Sequence, residues 1–118
     1  MRTTVSECPF CRVVSGEAPA EIIHASDNVI AFRDSHPKAP THILLIPKDH
    51  LESAADLSEK DGGMLGELFA VAAHVAKAEE IDESGWRLVT NVGPEAGQSV
   101  FHLHFHLLGG RALGWPPG

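Results

Sequence analysis

Residues 101–107 read Phe101-His102-Leu103-His104-Phe105-His106-Leu107, a strict alternation of apolar side chains and imidazoles. Alternation with period two marks a β-strand, in which successive side chains face opposite sides. The run predicts a strand over Val100–Leu108, closed by Gly109-Gly110. Phe101, Leu103, Phe105 and Leu107 then point into a core. His102, His104 and His106 share the other face, spaced about 6–7 Å apart. Thr, Lys or Glu would serve a plain solvent face equally well, so three imidazoles in a row point to chemistry. A neutral imidazole ligates metals, and it titrates near physiological pH. Two readings of this face stand side by side. A His-x-His pair can hold a metal, or the central His can act as a nucleophile with its neighbours held for other tasks.

The chain's two cysteines form the string Cys8-Pro9-Phe10-Cys11. Two cysteines three positions apart cannot build a disulfide scaffold, and the spacing is that of a zinc knuckle. A structural zinc closes with four ligands, commonly Cys and His. This pair therefore needs two more, and eight histidines are available. The rivals are a thiol–disulfide motif and a pair of inert buried thiols. A redox motif wants an apolar strand directly upstream, and Thr3-Thr4-Val5-Ser6-Glu7 offers only one clearly apolar residue.

The rest of the chain bounds these possibilities. Its 118 residues make a single domain, 1–118, with a core of its own and a short extended tail at 111–118. A formal charge of −7 argues against a long polyanion as partner, so no nucleic acid is expected. A small anion is compatible with that charge, since backbone N–H groups can hold a phosphate. No apolar signal region and no membrane-length run is visible, so a cytoplasmic protein without membrane contact is expected. Residues 9–15 read as a short helix, and Ile22–Ala25 with Val29–Phe32 as a hairpin around Ser26-Asp27-Asn28. His42–Ile46 is a buried strand stopped by Pro47. A long helix is expected after the N-cap Ser58, with Met64, Leu65, Leu68, Val71, Ala72 and Val75 on its apolar face and Gly85 ending it. Trp86–Asn91 reads as a further strand, and Pro94–Ser99 as a loop. The order hairpin, strand, helix, strand, strand favours an α+β fold on an antiparallel sheet. His24, His36 and His74 read as surface residues, and the acidic cluster from Glu79 to Glu83 as a solvated helix end.

The run His102-Leu103-His104-Phe105-His106-Leu107-Leu108 resembles the histidine triad signature. Ala39-Pro40-Thr41-His42, Ile46-Pro47-Lys48-Asp49-His50, Asn91-Val92-Gly93, Gly97-Gln98-Ser99-Val100 and Trp115-Pro116-Pro117-Gly118 extend the similarity over nearly the whole chain. The sequence thus resembles the histidine triad family, in its nucleotide-binding Hint branch and of the zinc-bearing type. The resemblance implies a five-stranded antiparallel sheet with one long helix and a short N-terminal helix, assembled as a homodimer. It implies a purine nucleoside phosphoramidase or nucleotidyl hydrolase that cleaves AMP-like esters or amidates through a covalent nucleotidyl-histidine.

Residue by residue, the resemblance makes His104 the nucleophile, with His106, His42 and Ser99 as its catalytic partners. The nucleoside falls to Phe10, Val13, Phe32, Asp34 and Ser35. The phosphate falls to Asn91, to the N–H groups near Gly97, Gln98 and Ser99, and to His104 and His106. Trp115 is implied to reach the partner's site. Cys8, Cys11, His50 and His102 would hold one structural zinc per chain, with no catalytic cofactor. Two other readings remain: a nucleotide-binding regulatory protein with little turnover, and a CPxC redox protein.

Overall fold

The computed structural model describes residues 4–118. In chain order its elements are α1 (Pro9–Ser15), β1 (Ile22–Ala25), β2 (Val29–Arg33), β3 (Thr41–Pro47), α2 (Gly62–Ala78), β4 (Trp86–Val89) and β5 (Phe105–Gly109), with three short 3₁₀ turns between them. The strands form one antiparallel sheet in the order β1-β2-β3-β5-β4. This is the α+β architecture expected, with one long and one short helix.

The strand registers sort the side chains between the two faces. Ile43 lies opposite Leu107 and Leu45 opposite Phe105. With Val29 and Ala31 of β2 they face α2, which contributes Leu68, Val71, Ala72 and Val75 to the main core. Leu68, fully buried, alone contributes about 1.5–3 kcal/mol by burial. The opposite face carries Ile30, Phe32, Leu44 and Ile46, covered by Phe10, Val13 and Val14 of α1. Every residue of β3 is buried, because a helix lies over each face of this central strand.

Three expectations need correction. Phe101 is not in the core: it is 56% exposed, and β5 starts only at Phe105. Residues 102–104 are tied down by contacts outside the β ladder, with the Leu103 N–H on the Leu51 carbonyl at 2.6 Å and the His102 ring on the Pro47 carbonyl. The long helix ends at Ala78, well before Gly85. Glu80 takes φ 60°, and the N–H groups of Ile81 and Glu80 fold back onto the carbonyls of Ala76 and Lys77, the pattern of a Schellman stop with Glu in the place glycine usually fills. Finally, Glu79 is no solvated end. Its carboxylate accepts both Arg33 Nη atoms at 2.9 Å and ties α2 to β2. At the other end, the Ser58 N–H donates to Asp61 at 2.9 Å, so the expected cap opens a 3₁₀ turn, from which α2 continues at Gly62.

Candidate active site and metal centre

Beyond the end of α1, the second sheet face carries the histidines. His106 of β5 and His42 of β3 project from it side by side, their ring centroids 5.2 Å apart. His42 Nδ1 receives the Lys38 backbone N–H at 3.0 Å. A backbone N–H can only donate, so Nδ1 is the bare nitrogen and Nε2 carries the proton of neutral His42. That proton faces His106 Nδ1 at 2.9 Å. His106 therefore accepts at Nδ1 and holds its own proton at Nε2. Burial pushes the His106 imidazole down to about 4, helped by the neighbouring His104 and His42 rings. His42 is likewise lowered by burial, against the pull of Asp34, whose Oδ2 lies 3.4 Å from His42 Nε2.

His104 is oriented from the opposite side. Its Nδ1 lies 2.7 Å from the His102 carbonyl, a bond only an Nδ1–H can make. The lone pair is thereby assigned to Nε2. The Phe10 ring stands edge-on to His104 at 5.1 Å. A neutral imidazole with a bare Nε2 beside a fixed N–H donor is the arrangement a nitrogen nucleophile requires.

His102 points elsewhere. Its Nε2–H donates to the Pro47 carbonyl at 2.9 Å, so its bare Nδ1 faces the two thiols, at 3.4 Å from Cys8 and 3.6 Å from Cys11. His50 Nδ1 lies 3.4 Å from the Cys11 sulfur. The four donor atoms all lie within 4.8 Å of one another. Zinc bond lengths in a tetrahedron put neighbouring N and S donors about 3.6 Å apart, so the cluster fits such an ion. The carbonyl behind His102 is the outer partner that fixes a ligating tautomer. Both cysteines are buried, and burial pushes the Cys11 thiol up, the opposite of what an exposed redox cysteine needs. The helix start Cys8–Cys11 also has no strand upstream among the described residues.

Asp34, His42 and His106 form a second close group. A metal there would need the His42 Nε2 lone pair, which the Lys38 N–H denies it. This group is a hydrogen-bond chain. The three histidines thus part company: His102 turns to the thiols, and the His104 ring packs against His106 at 5.1 Å.

A cavity of about 700 Å³ is lined by Phe10, whose ring meets His104, and by Asp34, which lies 3.4 Å from His42; the four site histidines do not themselves line it. Phe10 and Val13 of α1 form one wall. Phe32, Asp34 and Ser35 form another, and Ser99 stands at its edge. Leu44 and His36 also line it; nothing in the sequence marks Leu44, and His36, next to Pro37 in its loop, is both exposed and at the rim. The Lys38 N–H is a backbone group, so no side-chain motif announces it. The 97–99 loop is held by its own hydrogen bonds. The Gly97 and Gln98 N–H groups are committed to Pro94 and Gly93 carbonyls at 3.1 Å each. The Gln98 side chain accepts from Gly93 N–H and donates to the Glu52 and Val100 carbonyls. Gly97 and Gln98 thus brace the loop through these bonds, and Ser99 beside them is exposed. Asn91 is half-buried just past β4. Trp115 is 81% exposed, and its ring lies under Arg87, 5.9 Å away. The structure does not bring it to its own chain's histidines.

Comparison with known proteins gives a consistent picture. The HIT domain family matches residues 15–113. A maize (Zea mays) protein named 14 kDa zinc-binding protein is 48% identical, over 92% of this chain and 86% of its own. The purine nucleoside phosphoramidase of Escherichia coli K12 is 44% identical, over 92% of this chain and 91% of its own. The crystal structure of a HIT family hydrolase from Legionella pneumophila superposes with a TM-score of 0.92 at 46% identity, covering 94% of this chain and 99% of that one.

Proposed function

The chain belongs to the HIT domain family, and from that premise we propose that it hydrolyses purine nucleoside phosphoramidates and related AMP esters through a nucleotide bound covalently to His104. One observation carries the reading: the His102 carbonyl at 2.7 Å fixes the His104 proton on Nδ1 and leaves Nε2 bare beside the His106 donor.

The base fits between the apolar walls at Phe10, Val13 and Phe32, and Asp34 can accept both ribose hydroxyls. Ser35, polar on the same wall, also meets the nucleoside. Ser99, Asn91 and His106 hold the phosphate oxygens. The His104 Nε2 lone pair attacks phosphorus as the bond to the leaving group breaks. The Nδ1–H bond to the His102 carbonyl stabilises the cationic nucleotidyl-imidazole. In the free protein the His42–His106 pair is neutral. The departing nitrogen or oxygen takes its proton through the Ser99 hydroxyl, which draws it from solvent at its exposed position, while the His106 Nε2–H donates to the phosphate oxygens. Water then displaces His104 from phosphorus, losing a proton to solvent, and the site returns to its starting state. Splitting one displacement into two lowers the barrier of each.

Cys8, Cys11, His50 and His102 hold one structural zinc per chain, in keeping with the name of the maize relative. The ion supplies cross-linking of the N-terminus to the sheet and no reaction step, so no catalytic cofactor is involved. The partner is a purine nucleotide, and neither nucleic acid nor membrane is engaged. No helix among the described residues is long and apolar enough to cross a membrane, and we assign the protein to the cytoplasm. It acts as a homodimer, with Trp115 reaching the partner's site. Exposed Phe69 on α2 and the open edge of β4 favour such an assembly.

The test is turnover of a fluorogenic purine nucleoside phosphoramidate by the parent and by His104→Ala. Loss of nearly all turnover with the nucleotide still bound is expected. Binding without turnover by the parent would instead support a regulatory role.

A further inference from the structure

We infer that the Cys8/Cys11/His50/His102 cluster positions the nucleotide pocket through Phe10 and His102, so that metal and nucleotide bind cooperatively. The inference rests on the nucleotide and metal readings above and adds the coupling between them.

Two routes join the sites. The first is α1. It has only seven residues, far too few to hold a helix unaided, so its place is set by what it touches. Its N-cap is Cys8 and its third residue is Cys11, so both thiol donors sit on its first turn. Phe10 lies between them in sequence and points the other way. Its ring meets Phe32 at 5.5 Å, His104 at 5.1 Å and His102 at 6.0 Å. Phe10 and Val13 are a wall of the nucleotide cavity. Whatever fixes the two sulfurs fixes that wall.

The second route runs through a single residue. The His102 ring offers Nδ1 to the thiols, and its own carbonyl holds the His104 Nδ1–H at 2.7 Å. Anchoring the ring anchors the carbonyl that selects the His104 tautomer. Without an ion, the four donors have only hydrogen bonds to hold them together. The wall then loses its anchor. A nucleotide filling the cavity pushes the balance back, and linkage makes the effect equal in both directions. His102 is a positioning residue here, since it acts through His104, while Phe10 carries the coupling through α1 to the wall of the cavity.

The experiment uses the full chain loaded with Co²⁺, whose visible absorption reports a four-ligand thiolate site, and AMP as the nucleotide. Transfer of Co²⁺ to an excess of chelator is timed with and without saturating AMP. AMP affinity is measured on the loaded chain and on reduced, metal-stripped chain whose fold is checked by circular dichroism. AMP is expected to slow cobalt loss, and metal to tighten AMP by about fivefold or more. Phe10→Ala should bring that factor close to one with the cobalt spectrum unchanged, and Phe10→Leu should restore part of it. Should the stripped chain unfold, the cobalt-transfer rates alone decide. Equal rates with and without AMP overturn the coupling while both binding readings stand. Failure to bind AMP overturns the nucleotide reading and the coupling with it, and absence of a four-ligand cobalt spectrum does the same for the metal reading.

Discussion

Replacing His42 by Ala removes the middle of a chain that sets a proton's position at the site. In the intact protein the Lys38 N–H donates to Nδ1 at 3.0 Å and Nε2 faces His106 at 2.9 Å. His42 is only 5% exposed. Its loss leaves one backbone donor and the His106 Nδ1 acceptor without partners. A buried donor left unpaired costs about 1–3 kcal/mol. Lys38 is at the surface, and water can reach its N–H, which brings the net cost toward about 1–2 kcal/mol. For a domain near this size that lowers the thermal midpoint by about 4–8 °C. The larger effect is on chemistry. With no Nε2–H to receive, His106 is free to carry its proton on Nδ1 and so ceases to present a donor at Nε2. Removing one oriented donor of this kind costs about 10²–10³ in kcat. The assay is kcat and KM on a fluorogenic purine nucleoside phosphoramidate, well below both melting temperatures. The predicted signature is a fall in kcat with little change in KM. A kcat within about threefold of the parent, against the 10²–10³ expected of a lost donor, would refute the assigned relay.

Burial pushes the His106 imidazole down to about 4, from an ordinary value near 6.5. Between those values the unfolded chain binds more protons than the folded one, so stability is full above about pH 6.5 and falls as the pH drops toward 4. Urea midpoints should follow that slope in the parent, and His106→Gln, with no proton to gain, should show a shallower one; identical slopes would contradict the assignment. Gly109→Ala is expected to destabilise by about 1–3 kcal/mol, because a Cβ there would come within 2.6 Å of Ile81 Cδ1 and 3.3 Å of the Gly85 carbonyl. Calorimetry on that variant checks it, and an unchanged midpoint would mean that the β5–Ile81 packing is looser than described.

How much was legible beforehand varies from element to element. The alternation 101–107 located the site because period two and imidazole chemistry are both local properties. The same alternation misplaced Phe101, since strand pairing is not local: the Pro47 carbonyl holds the His102 ring and the Leu51 carbonyl the Leu103 N–H before the ladder begins. The helix stop was missed because glycine is the usual left-handed residue, and here Glu80 takes that conformation with Ile81 buried behind it. The Arg33–Glu79 tie joins residues distant in sequence, and charge patterning along the chain gives no sign of it. Conversely, the zinc-knuckle spacing called for two further ligands without naming them. His50 and His102 came from family resemblance, and the structure brings both to the thiols. Gly97 and Gln98 illustrate the remaining limit: a loop motif tells that a turn exists, whereas which of its N–H groups are left over depends on the turn's own hydrogen bonds.

The central claim is that Nε2 of His104 takes the nucleotide. Rapid acid quenching during turnover, followed by peptide mapping with mass spectrometry, tests it directly. The account predicts an adenylate on His104 that appears within a turnover and decays as substrate is exhausted. Fast product formation with the adduct on another side chain, or with no adduct under conditions that preserve phosphohistidine, would contradict it.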